Sequence, residues 1–271
     1  MSLWLSALFA GLVAVGVTLA IERWGGVVGG VIGTLPSTIV PASLGIHAAS
    51  PDPAAFTAAL AAAPAAMLLN ALFLYLWRVL PPRLPGRSLG VQLGLMTGIG
   101  LTLWGLAAAG MVVGVDAYRA RSGDMRALGG LLTATILVVG VAATWRAHPA
   151  PAGRRPVGAV TLVARGLLAA AAIGVSVWLA ARGGAVAAGV ASCFPAIFIT
   201  TMVSLWLSQG RSVPAGAVGP MMLGSASVAV YALLATWTLP TLGVIPGVIA
   251  AWTGAALGAS LPAVWWIRSR P

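Results

Sequence analysis

Lysine is absent from this chain, and carboxylates nearly are. All 15 basic residues are arginine, and the acids are Glu22, Asp52, Asp116 and Asp124. Charged residues make up 7% of the sequence and hydrophobic ones 60%, where soluble domains carry about 25% charged residues. A water-soluble fold is excluded on that ground. So few acids disfavour a dedicated Mg or Ca carrier, because hard cations want several oxygen ligands. A buried proton relay has only Asp116 and His47 to draw on, both at expected helix ends.

Histidine and cysteine are as scarce. His47 and His148 have no HExxH or GxSxG neighbourhood, so no nucleophile–base pair or metal set is evident and no enzyme activity is expected. The single cysteine, Cys193, excludes an internal disulfide. Cys193, Met202, Met221, Met222 and His47 are scattered, without CxxC or HxxxH spacing, so the methionines read as packing. No metal or other cofactor is expected. The formal charge of +11 would suggest nucleic acid in a soluble protein. Here the arginines separate apolar runs, which points to topology and anionic lipid contact, with no nucleic-acid partner.

What the chain does have is long apolar runs. Nine candidate helices lie at 2–21, 26–48, 54–77, 88–115, 127–145, 157–181, 185–208, 214–238 and 241–267. Several exceed the roughly 20 residues of a spanning helix. They are continuously apolar, unlike the alternating strands of a barrel. The first run lacks a basic leader region and reads as a retained span. With nine spans, ten arginines between Arg23 and Arg270 fall on one side, and Arg119, Arg121, Arg126 and Arg182 on the other. The positive-inside rule then predicts an outside N-terminus and a cytoplasmic C-terminus.

The halves also match each other. Residues 3–36 lie over 162–195, pairing Arg23 with Arg182, Gly30 with Gly189 and Pro36 with Pro195. Residues 63–76 lie over 219–232, pairing Pro64 with Pro220 and Tyr75 with Tyr231. Farther on, 89–94 lies over 242–247. The expected organisation is a four-helix unit at 1–115, a linker with helix 5 at 116–156, and a second unit at 157–271. One extra span between two four-span units inverts the second copy, a common plan in secondary transporters. If helices 2 and 7 were re-entrant hairpins, the copies would instead be parallel.

Two spans carry breakers at mid-depth. VVGGVIGTLPSTIVPASLG (27–45) holds Pro36 and Pro41, with Ser37 and Thr38 between them; AVAAGVASCFPAIFITTMVSL (185–205) holds Pro195, followed by Thr200, Thr201 and Ser204. Proline removes a donor and frees a carbonyl one turn earlier. In lipid that is tolerated beside other helices or a wet cavity. Matched breaks in two units point to a central substrate site at Pro36, Ser37, Thr38, Pro195, Thr200, Thr201 and Ser204. Each C-terminal half-helix would aim its free N–H groups at the centre. The structural alternative is that these hydroxyls bond only their own backbone. Arg165 lies inside helix 6: facing inward it favours an anionic substrate, and otherwise it snorkels to the headgroups. Small residues in both segments (Gly25, Gly26, Gly29, Gly30 and Gly33; Ala185, Ala188 and Gly189) allow close helix approach. Asn70 and Gln92 read as interhelical hydrogen-bonders. Tyr75, Tyr231, Trp77, Trp265 and Trp266 read as interface anchors.

The glycine run leading to TLPSTIVPASLG (34–45) or SCFPAIFITTMVSL (192–205) resembles small bacterial four-helix inner-membrane proteins of the GlpM-like kind, here as a fused duplication. The four-helix unit with a linking span is similar in plan to the drug/metabolite transporter group, an analogy that assigns no residues. These resemblances imply a multi-pass protein of the bacterial inner (cytoplasmic) membrane. The expectation is an all-α secondary transporter or exporter of a small anionic or neutral solute. Its partners are the lipid bilayer and that small-molecule or ion substrate, with a homodimer compatible with the sequence. A non-transporting scaffold or lipid-handling subunit, or a channel, is the alternative.

Overall fold

The structure, a computed structural model, describes residues 2–24, 35–83, 88–121, 124–145, 158–209 and 212–269. The glycine run from Gly25 to Gly33, Thr34, Arg87, Ser122, His148, Arg154, Arg155, Arg211 and Arg270 lie outside the described residues. Everything described is helix, turn or short connection, without a strand. In chain order the helices are α1 (Leu3–Trp24), α2 (Ile39–Ala49), α3 (Pro53–Val79), α4 (Leu89–Arg121), α5 (Met125–Thr144), α6 (Ala159–Ala181), α7 (Ala185–Ser192), α8 (Ala196–Gln209), α9 (Ser212–Gly224), α10 (Ala226–Leu242), α11 (Val244–Ala255) and α12 (Leu261–Arg268). A five-residue π-turn, Ala256–Ser260, joins α11 to α12.

Eight stretches among the described residues are long and apolar enough to cross a membrane. By length and composition the chain is a multi-pass helical membrane protein. The second expected span is described only from residue 35 on, where it forms the 11-residue helix α2. Helices α7 and α8 together make one span, as do α9 and α10, and α11 and α12.

Two of the four acids have a structural task. Asp52 accepts a hydrogen bond from Ala55 N at 2.7 Å, and Pro53 opens α3. Asp124 accepts from Ala127 N at 3.0 Å and opens α5. A side-chain oxygen there satisfies one of the donors that every helix start leaves over. Helix α4 runs on to Arg121, past the expected end at 115. The stretch from Asp116 to Arg121 contains no glycine or proline to stop it, and cations in a last turn suit the helix dipole. The run expected as one helix at 214–238 is broken at Ser225, whose hydroxyl donates to Met222 O at 2.6 Å. Gly224 and a serine that bonds its own backbone weaken the helix there.

Helix α3 is the hub. It is buried along most of its length and contacts α4, α5, α7, α9 and α10. Its sequence AALAAAPAA presents small side chains, so neighbouring backbones come close, as packing between helices in lipid requires. The two halves of the chain interleave instead of forming separate bodies: α1 packs on α6, and α3 on α7. A Cβ built at Gly11 would lie 3.4 Å from Ala170 Cβ, one at Gly166 3.0 Å from Val15, and one at Gly174 3.6 Å from Ala7. As one number rises the other falls, so α1 and α6 run antiparallel.

Two expected interface anchors are core residues. Tyr231 is 0% exposed, and its hydroxyl pairs with Ser43 Oγ at 2.8 Å, tying α2 to α10. Trp77 is also 0% exposed, edge-on to Trp206. Both sit on the inward faces of their helices, where packing outweighs the interfacial preference of aromatic rings. Tyr75 and Trp265 are exposed, as an anchor should be.

Pro240 lies inside α10 and cannot donate to the Thr236 carbonyl. Arg126 fills the gap: its Nη2 donates to Thr236 O and its Nε to Thr236 Oγ1, both at 3.0 Å, while the guanidinium stacks on Trp237. Arg126→Ala is therefore expected to cost about 1–2 kcal/mol. On a Pro240→Ala background, where the helix supplies its own donor, the cost shrinks by about half or more. Reversible unfolding in mixed micelles measures both legs of this cycle.

Candidate substrate site

The paired breaks are built from different local chemistry. In the first half, Leu35 to Thr38 leads into α2 without regular helix; Ser37 N donates to Leu35 O at 2.8 Å. Pro41 falls in the first turn of α2, where a missing N–H leaves no helical bond unmade. Pro36 is buried just ahead of it. In the second half, α7 ends on tightened i−3 bonds, Cys193 N to Val190 O at 3.2 Å and Phe194 N to Ala191 O at 3.1 Å. Pro195 then supplies no N–H, and α8 starts one residue later.

A break at membrane depth must have its backbone satisfied by neighbours. Asn70 of α3 does this, donating through Nδ2 to the Cys193 carbonyl at 2.7 Å. Trp104 of α4 donates in turn to Asn70 Oδ1 at 2.8 Å and meets the Phe194 ring edge-on at 5.5 Å. Asn70 is 1% exposed. The second break is thus pinned by two helices of the first half.

Arg165 does not snorkel. It is 6% exposed, and its guanidinium spreads over three threonines. Nε donates to Thr200 at 3.0 Å, Nη2 to Thr201 at 2.8 Å, and Nη1 to Thr18 of α1 at 2.6 Å. Thr200 and Thr18 donate their own hydroxyl protons back to Ala196 O and Ala14 O, each at 2.8 Å. Backbone bonding and a functional contact therefore coexist in the same side chain. The hydroxyls of Thr201 and Thr38 donate to no acceptor among the described residues.

Between these elements lies a cavity of about 350 Å³, lined among others by Thr38, Asn70, Arg165, Cys193, Phe198 and Thr201. Met67 and Asn70 lie near the middle of α3, and Val228 near the middle of the α9–α10 span, so the cavity lies beside the middles of these long apolar helices. No family, curated protein or solved structure matches the chain. The functional reading therefore rests on the chemistry of this cavity.

Of the eight residues expected at the site, Thr38, Arg165 and Thr201 line the cavity. Thr200 stands behind them, holding Arg165. Pro36 and Pro195 are buried and shape the breaks without lining the space. Ser37 and Ser204 are half-buried and outside the lining. Ile39 and Ile197, in the first turns of α2 and α8, both reach the cavity. Two helix starts, each with the positive end of its dipole, thus border one space. Asn70 had read as a plain interhelical bond, and Ser225 and Ser227 carried no expectation, yet all three line it. The signal for Asn70 was its amide in the middle of an otherwise apolar span.

Proposed function

We propose that the protein is a secondary transporter of a small anionic or neutral solute, working by alternating access around the cavity at the paired breaks. The observation that carries this reading is one cavity beside the middles of long apolar helices, bordered by two helix breaks, one from each half of the chain. Binding at the midplane between interrupted helices is how transporters with inverted repeats hold their substrates. An enzyme would need a nucleophile or metal set, and a scaffold would have no need of a cavity with an arginine in its wall.

Reciprocal contacts support inverted units. Gly11 and Ala170 are equivalent in the overlay of 3–36 on 162–195, and they face each other at 3.4 Å. The flanking contacts Val15–Gly166 and Ala7–Gly174 exchange under the same overlay. Equivalent helices that run antiparallel require an axis across the helices; parallel copies would have run them alike. Helix α5 follows the same rule. Its Gly129 meets Ala61 and Leu233, and its Ala143 meets Gly219 and Arg78, with the fully buried Ile136 halfway between. In the overlay of 63–76 on 219–232, Ala61 falls two residues from Gly219 and Leu233 one residue from Arg78. The axis then passes through α5, the linking span. With nine spans and the arginine asymmetry, the orientation is N-terminus outside and C-terminus cytoplasmic, in a bacterial inner membrane.

The test uses single cysteines at Thr38 and Thr201 on a Cys193→Ala background, in proteoliposomes. A membrane-impermeant thiol reagent is expected to reach each position, with a rate that changes when a transported solute is added. Thr200→Ala combined with Thr201→Ala should cut flux at least about tenfold with folding retained, because Arg165 loses two of its anchors. Positions that never label, or full flux in the double variant, would overturn the reading.

A further inference from the structure

The cavity has a shape and polarity that narrow its ligand. This step rests on the cavity being the substrate site proposed above. From the break into α8 its lining runs from Phe194 through Ile197 and Phe198 to Thr201. Seven residue steps, most of them helical, make that wall at least about 10 Å long. Arg165 meets α8 at the Thr201 end; the break, with Asn70 and Cys193, is at the other. Between them the wall is mostly apolar: Phe198 and Ile197 from α8, Met221 and Val228 from α9 and α10, and Met67 from α3, with Ser225 and Ser227 donating their hydroxyl protons to Met222 O and Gly224 O.

Arg165 is the one charged side chain among the described residues lining this space. Beside it, the Thr201 hydroxyl accepts from the guanidinium, and its proton has no acceptor among the described residues. A guanidinium and a hydroxyl proton side by side suit an oxyanion. The apolar stretch beyond them suits a hydrocarbon or aromatic body. Polyhydroxylated solutes would set most of their hydroxyls against methionine, phenylalanine and isoleucine, while Asn70, Ser225 and Ser227 are already engaged with the protein. Inorganic polyanions would leave the apolar wall unfilled. A volume of about 350 Å³ equals on the order of a dozen water-sized volumes, so the ligand has on the order of a dozen non-hydrogen atoms.

We infer that the cavity takes an elongated amphipathic organic anion, its oxyanion at Arg165 and Thr201 and its apolar body along α8 toward the break. A series from benzoate to 6-phenylhexanoate, each with its neutral primary amide, probes this with the full-length protein in lipid nanodiscs. Binding is read by calorimetry and by the fluorescence of Trp104, which sits against Phe194. Affinity for the acids is expected to rise with chain length until about 10 Å is filled and then fall. Each acid should bind at least about tenfold tighter than its amide. Arg165→Gln should erase that difference. Thr201→Val, which keeps the guanidinium, should reduce it and serves if the arginine variant does not fold. Amides that bind as tightly as acids, indifference to both substitutions, or equal competition by inorganic phosphate would each overturn the inference. The transporter reading stands apart from it. Flux of the amides without acid preference would sink the anion and keep the transporter, while acid binding with the expected dependence but no flux would do the reverse.

Discussion

Gly189→Ala is expected to destabilise the protein by about 3 kcal/mol or more, the upper end of what overpacking costs. A methyl group is a small change, but Gly189 has nowhere to put one. A Cβ built there falls on the carbonyl oxygen of Ala59, with the Ala59 carbonyl carbon at 2.8 Å. The obstacle is backbone of α3, the most buried helix, and it cannot rotate aside as a side-chain end would. Its neighbours Ala58, Ala62 and Ala63 are themselves almost fully buried, so α3 has no slack to retreat into. Relief would require α7 to move away from α3, opening the interface that Ala185 and Ala188 also bury. Because no hydrophobic force drives helices together in lipid, that loss of contact is not offset. Gly98→Ala is the control: nothing lies within 4 Å of its Cβ, and stability should hold or rise slightly. Denaturant-induced unfolding followed by tryptophan fluorescence separates the two. Equal stability of both variants would mean that α7 and α3 are not in contact as described.

The helical class of this chain could be read from composition because lipid removes most alternatives. With backbone groups unable to bond water, continuous apolar runs must be helices. Span limits were less readable for a physical reason. Hydropathy reports where a segment sits relative to lipid, whereas α4 runs on through polar residues to Arg121, and Ser225 breaks α9 from α10 with a bond to its own backbone that hydropathy does not register. The same gap explains Tyr231 and Trp77. An aromatic near an expected helix end could face the headgroups or the core, and only the rotation of its helix decides. That rotation comes from tertiary contacts such as Ser43 to Tyr231.

The site was legible to the extent that it broke a rule. Prolines inside spans, and an arginine inside α6, are costly in lipid, so Pro195 and Arg165 stood out against the apolar sequence. The structure sets both in the neighbourhood of one cavity. Hydroxyl residues did not stand out in the same way, because serine and threonine can satisfy themselves within a helix. Thr201 and Ser204 were indistinguishable in sequence. They lie three residues apart on α8, and only Thr201 turns toward Arg165. Cys193 and Met221, scattered in the sequence, both line the cavity. Their partners come from α3, α6 and α10, too distant in sequence for any spacing rule to connect them.

Asn70→Ala is expected to raise the alkylation rate of Cys193 by about 5- to 150-fold. The native protein carries its own reporter for this experiment, since Cys193 is the only cysteine in the chain and is 5% exposed. In the wild type the carbonyl of that same residue is held by Asn70 Nδ2, and Asn70 is held by Trp104. Removing the amide leaves the buried Cys193 carbonyl, and the half-buried Trp104 indole N–H, without this link. An unpaired buried group costs about 1–3 kcal/mol, and every 1.4 kcal/mol is tenfold in an opening equilibrium. The break cannot recover the bond locally, because Pro195 has no N–H to offer and α7 already ends on i−3 bonds. It opens more often, and the thiol follows. Trp104→Phe removes one bond and should give a smaller increase; added to Asn70→Ala it should give almost nothing more, since the link is then already gone. If the paired break is the moving part of a transporter, the same substitution changes solute flux as well, because the break it releases borders the cavity. An unchanged alkylation rate in Asn70→Ala would mean that the break holds itself, and that the chain from Trp104 through Asn70 to Cys193 is a passive contact.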